Sequence, residues 1–143
     1  MYENFELHEV SWRAAQRELR LIRETVFIIE QRVPAELEWD GLDADARHVL
    51  ARSRGGKAVG TARLLVQGQI GRMAVLKEWR GRGVGGALLE ALLKIAGAAG
   101  LREVFLHAQT HALEFYARRG FRAVGAEFMD AGIPHVKMIM RLV

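Results

Sequence analysis

The residue run best suited to chemistry is Arg80-Gly81-Arg82-Gly83-Val84-Gly85-Gly86. Glycines at such a junction let consecutive backbone N–H groups turn toward one point, and a helix starting there adds partial positive charge. Arg80 and Arg82 supply full charges, so the run has the makings of a phosphate cradle; its plainer reading is a glycine-rich turn with solvated arginines. Two nucleotide motifs do not fit. A P-loop needs Gly-Lys-Ser/Thr at the helix start, whereas Gly85 is followed by Gly86 and Ala87. Gly81-x-Gly83-x-x-Gly86 satisfies the dinucleotide fingerprint by spacing, but three successive strands come directly before it and the strand that follows, Leu101 to Ala108, carries only Glu103 near its start. His107 and His111 are four apart but straddle a strand end and a loop, so helical metal-ligand spacing does not apply and no metal site is expected.

The elements around this run follow from apolar periodicity. Tyr2 to Val10 alternates as a first strand, and Ser11 stands as the N-cap of a helix. That helix carries Trp12, Ala15, Leu19, Ile22, Val26 and Ile29 as an apolar stripe, with Arg13, Gln16, Arg20, Arg23 and Glu24 on a solvated face. Residues 32–46 read as a loop with a short helical turn. Strands are expected at Arg47 to Ser53, Lys57 to Val66 and Gln69 to Leu76, with turns at Arg54-Gly55-Gly56 and Gly68. A helix with Ala87, Leu88, Ala91, Leu92 and Ile95 inward ends at Gly97 or Gly100. Leu101 to Ala108 reads as a buried strand and Ala112 to Arg119 as a short helix. Phe121 to Phe128 and Val136 to Val143 are the last strands, separated by Asp130-Ala131-Gly132-Ile133-Pro134. The order is β-α-β-β-β-α-β-α-β-β, which predicts one α/β domain over residues 1–143, with a mixed sheet and helices on both faces.

Composition narrows the class. A chain of 143 residues with 50% hydrophobic and 27% charged residues can bury a core and is not disordered. No cysteine is present, which excludes a disulfide scaffold, a thiolate metal site and a cysteine nucleophile. No stretch is apolar enough to span a membrane and the first ten residues show no signal peptide, so a cytoplasmic protein is expected. The net charge of +4 conceals an uneven distribution. Glu30, Glu36, Glu38, Asp40, Asp43 and Asp45 face only Arg32 within residues 30–46. Nucleic-acid binding would call for aromatic residues interleaved with a basic stripe, but the arginines are dispersed except around the glycines.

With these residues in view, the sequence resembles the Gcn5-related N-acetyltransferases (GNAT). Their signature, Arg/Gln-x-x-Gly-x-Gly/Ala, is met by Arg80-Gly81-Arg82-Gly83-Val84-Gly85, and Ile70-Gly71-Arg72-Met73-Ala74-Val75 is similar to the family's central strand. A second family motif is matched by Gln109, Ala112, Phe115, Tyr116, Gly120 and Phe121, with Gln109 where Asn is usual. The segment from Phe128 to Val136 resembles a bacterial subgroup of small members.

The resemblance implies the GNAT acyl-CoA N-acyltransferase fold and direct transfer of acetyl from acetyl-CoA to an amine acceptor, without an acyl-enzyme. It implies cofactor contacts from Met73, Ala74 and Val75, from Arg80, Gly81, Arg82, Gly83, Val84, Gly85 and Gly86, and from Gln109 and Tyr116. In the family a bulge in the central strand, and its splaying from the next strand, open the cofactor slot. The Val75 N–H would polarise the thioester carbonyl and Tyr116 would protonate the leaving thiolate. Glu30 is the first candidate for general base, with His107, His111, Asp130 and His135 as others. Glu36, Glu38, Asp40, Asp43 and Asp45 fall where the family places its acceptor-facing loop, so their carboxylates would attract a cationic amine, the plainer reading being an exposed loop that is acidic to stay solvated. Partners are then acetyl-CoA and an amine, with no nucleic acid and no membrane; the C-terminal strands could pair with a second subunit. The alternative is a CoA-binding module or sensor without turnover.

Overall fold

A computed structural model describes residues 4–142; Tyr2, expected in the first strand, and Val143, expected in the last, lie outside them. Seven strands form one mixed sheet in the order β1-β2-β3-β4-β5-β7-β6. They are β1 (Phe5–Val10), β2 (Arg47–Ser53), β3 (Ala58–Leu64), β4 (Gln69–Val75), β5 (Glu103–Gln109), β6 (Arg122–Asp130) and β7 (Ile133–Arg141). The helices are α1 (Trp12–Arg23), α2 (Ala35–Glu38), α3 (Val84–Ala98) and α4 (Leu113–Ala117). Every strand pair is antiparallel except β4 with β5, the one joined through the α3 crossover. Among these residues no helix is long and apolar enough to cross a membrane.

Alternation along the strands divides the core in two. Val49 and Ala51 of β2 join Leu88, Leu89 and Leu92 of α3 on one face, while Leu50 joins Leu19 and Ile22 of α1 on the other. The crossover helix lies close to the sheet because Gly60 has no side chain. A Cβ there would stand 2.9 Å from Val84 and 3.2 Å from Leu88. Its far end closes with Gly100 at φ +84, the Leu101 N–H bonding the Ala96 carbonyl and the Gly100 N–H that of Gly97.

Two expectations change. The first helix continues past Arg23 as a π-helix, Glu24–Glu30, and the wider turn rotates its last residues. Ile29, expected inward, is exposed, and Arg23, assigned to the solvated face, is 1% exposed. The connection from β6 to β7 is also tighter than the sequence implied. Asp130 pairs with Ile133 across only Ala131 and Gly132, both at positive φ, as a two-residue hairpin requires.

Candidate active site

The slot begins as a local failure of sheet pairing. β4 and β5 pair only at Gln69–Phe105 and Ile70–Leu106. β4 bulges immediately afterwards: Thr61 pairs with Ala74 and Arg63 with Gly71, so Arg72 and Met73 of β4 stand opposite the single residue Ala62 of β3, and Arg72 takes φ +50. Beyond the bulge the Leu76 N–H bonds the Val59 carbonyl of β3. Because backbone groups alternate sides along a strand, Ala74 also faces β3 and Val75 faces the gap. Ala74 has its side chain buried in the α1 core as well, so of the expected trio Met73 and Val75 border the slot.

The glycine run bounds one end of this slot. Gly81 and Gly83 adopt φ +77 and +86, and Gly83 caps α3 without a side chain. The first helical bond runs from the Ala87 N–H to the Gly83 carbonyl, which leaves the N–H groups of Val84, Gly85 and Gly86 without helical partners. Arg82 is exposed and stacks over Trp79 at 4.7 Å. Arg80 turns the other way. Its guanidinium grips Glu30 through two bonds of 2.6 and 2.8 Å, and its Nε donates to the Val75 carbonyl. The bond from Arg80 holds the Glu30 carboxyl below its usual range.

Sequence reasoning missed a third arginine here. Arg119 lies over the Phe115 ring at 4.0 Å and donates to the Phe115 carbonyl. A Cβ on Gly86 would meet its Nη2 at 2.6 Å, so glycine at 86 makes room for this guanidinium. The two residues are 33 apart, and the only sequence hint is the pair Arg118-Arg119 after Tyr116.

At its other end the slot widens into a cleft of about 320 Å³. Its walls are the β4 bulge, the end of β5, Tyr116, the β6–β7 hairpin, Phe27 of the π-helix and Gln31 just after it. The Tyr116 phenol donates to the Met73 sulfur at 3.4 Å, and burial pushes its pKa up to about 12. Gln109 donates to Gln31 and accepts from His111. The end of the π-helix is thereby tied to both arms of the slot, through Glu30 to Arg80 and through Gln31 to Gln109. Gln31 carried no sequence signal, being one polar residue at a helix end.

The acidic segment borders the cleft through Leu37 and Glu38, but its charge is turned inward. Arg23 bonds Glu38 at 2.8 Å and Asp43 at 2.6 Å. Arg63 bonds Asp40 and Asp43, and Arg72 bonds Asp40 and the Leu37 and Glu38 carbonyls. Three carboxylates therefore meet three guanidiniums, with Arg23 set between Trp12 and Trp39. Burial raises Asp40 and Asp43, yet bonds from the arginines outweigh it and lower both, Asp40 to about 2. Burial wins at Glu38, which is raised despite Arg72 and Arg23. Glu36 and Asp45 stay exposed. Among the described residues no cluster of three His, Asp or Glu is placed to hold a metal ion.

The acetyltransferase (GNAT) domain family matches residues 13–142. An uncharacterised N-acetyltransferase of Bacillus subtilis, YjcF, is 43% identical over 122 residues, covering 82% of this chain and 86% of its own. The crystal structure of an acyl-CoA N-acyltransferase from Pseudomonas aeruginosa superposes with a TM-score of 0.81 at 30% identity, covering 96% of this chain and 99% of the other. Escherichia coli ElaA does so at 0.84 and 29%, covering 95% and 99%. The splayed strand, the uncapped glycine turn and these likenesses agree, and the chain belongs to the GNAT acetyltransferase family.

Proposed function

We propose that the protein transfers an acetyl group from acetyl-CoA directly to an amine acceptor. The observation that carries this reading is the parting of β4 from β5 after two residue pairs, which joins the glycine turn to the cleft. The turn suits the cofactor's phosphates: three backbone N–H groups without helical partners, with Arg82 and Arg119 beside them. The Val75 N–H faces the gap, where a donor to a developing oxyanion is worth about 3 kcal/mol. Tyr116 keeps its proton at neutral pH because burial disfavours the phenolate. Its present acceptor is a thioether, a weak one, so the proton is readily redirected to a thiolate. Neither serine competes as a nucleophile, since Ser11 Oγ caps α1 and Ser53 Oγ accepts from the Lys57 N–H. Glu30 takes a different part from the base first expected. Paired with Arg80 and lowered, it is a poor proton acceptor and serves to anchor the π-helix beside the slot.

The test is thiol release from acetyl-CoA over a panel of primary amines, with CoA affinity measured by calorimetry. Tyr116→Phe should lower kcat about 10² to 10³-fold while CoA binding stays within twofold. Unchanged turnover would remove Tyr116 from the mechanism. CoA binding with no thiol release from any amine would leave a binding module.

A further inference from the structure

We infer that His135 is the general base that takes the first proton from the acceptor ammonium, an assignment resting on the acetyl-transfer reading above. His135 lies on β7 directly opposite Gln109 of β5 and Phe128 of β6, lines the cleft and is 8% exposed. Its Nδ1 stands 2.7 Å from the Ile133 carbonyl oxygen. A carbonyl can only accept, so Nδ1 carries the hydrogen and the neutral ring keeps its lone pair on Nε2. Phe128 stacks on the ring at 6.0 Å and 26°, fixing its plane. The carbonyl that selects the tautomer belongs to the tight hairpin, held by the Asp130–Ile133 pair and two positive-φ residues. This is the arrangement a base requires: one nitrogen committed, the other basic, the ring held.

The other candidates lack it. Glu30 is occupied by Arg80. His111 also commits one nitrogen, giving its Nε2 hydrogen to the Gln109 oxygen, but it is exposed and no aromatic ring among the described residues stacks on it. His107 packs edge-on against Phe128 with no hydrogen bond orienting it among the described residues, and Asp130 is exposed at the turn. His135 acts on His107 of β5, which also feels Asp130 of β6 and Lys137, two residues along from His135 on β7; His111 lies beyond Gln109.

The step balances with two protons leaving nitrogen. Nε2 takes one from the ammonium and passes it to solvent. The freed nitrogen pair forms the C–N bond, and the C–S bond breaks as the tetrahedral adduct collapses. Tyr116 gives its proton to sulfur and is reprotonated by the second nitrogen proton.

Two variants separate this role from hairpin packing. His135→Asn keeps an N–H near the Ile133 carbonyl, and His135→Gln puts an amide near the position of Nε2; neither is basic. With acetyl-CoA and a primary alkylamine, both should lose about 100-fold in kcat/KM and lose the acid-side limb of the pH–rate profile. CoA affinity should stay within twofold. With an aniline acceptor, already neutral at pH 7, the loss should shrink to less than tenfold. Nitrogen-15 NMR of the wild-type ring should show the Nδ1–H tautomer. An Nε2–H tautomer, or a folded variant that keeps the limb and kcat/KM within threefold, overturns the assignment alone. A wild-type protein that releases no thiol with any amine overturns the acetyl-transfer reading and the base with it.

Discussion

The glycine turn and the acidic segment are the two charged regions that the sequence set in opposition, and the fold treats them in opposite ways. Around residues 80–86 polar groups remain open apart from Arg80, which is paired with Glu30: Gly83 offers no capping side chain, and Arg82 and Arg119 stay exposed. Around residues 36–45 the principal acids are closed off, bonded to Arg23, Arg63 and Arg72. In the function proposed above, one region is suited to receive a charged ligand, while the other holds itself together. Local charge density does not distinguish the two; the presence of an internal partner does.

The sharpest way to break this contrast is to remove a partner from the closed region. Arg23→Met leaves Glu38 and Asp43 buried without their shared guanidinium, a loss of about 3–5 kcal/mol, measured by urea unfolding. Arg23→Lys keeps the charge without the planar fork and should cost less. The same network sets the acid response. Asp40 and Asp43 are lowered in the folded protein, so their stabilisation is present above the unfolded value of 3.8 and is lost as pH falls toward about 2. Glu38, raised by burial, works against this trend. In the wild type unfolding should therefore set in below pH 4, and in Arg23→Met at higher pH. A variant as stable as wild type, with an unmoved acid transition, would show that the network is not what closes this region.

The contrast also explains which features were legible in the sequence. The glycine turn, the hairpin at Gly55-Gly56 and the helix stop at Gly100 are local devices, each written in a few adjacent residues. So are the strands, and the β-α-β-β-β-α-β-α-β-β order stands apart from the π-helix and the short extra turns. The ion network joins residues 15 to 34 apart, and nothing in a charge run states which arginine will meet it. The π-helix was illegible for another reason. A periodic stripe assumes 3.6 residues per turn, and the wider turn after Arg23 carried Ile29 outward while Glu30 met Arg80. At the site, Gly71-Arg72-Met73 was placed on the central strand by resemblance, whereas the register of the bulge depends on pairing with β3.

The open region is tested by removing charge from it. Arg119→Gln should weaken CoA binding about tenfold, in the range of one charge-assisted hydrogen bond. The slope of log Kd against log salt should flatten, because one cation fewer meets the phosphates. Transfer from acetyl-pantetheine, which has no phosphates, should be unchanged. An equal loss with both donors would mean that Arg119 only clamps α4 onto the start of α3.

The smallest effect is expected where the family resemblance implied steering of the acceptor. Glu36 and Asp45 are the acids of the segment that remain exposed beside the bonded trio. Exposed charges are screened over about 8 Å at physiological ionic strength, and three carboxylates bonded to three guanidiniums present no net field to steer an amine. The double change Glu36→Gln with Asp45→Asn should therefore alter KM for a cationic amine by less than about twofold, with little dependence on salt. A fivefold rise in KM that disappears at high salt would restore steering by this segment and erase the contrast with the glycine turn. The expected result would instead place acceptor selection on the cleft walls, at the β4 bulge, Gln31 and the β6–β7 hairpin. There shape and hydrogen bonding, not long-range attraction, would discriminate among amines.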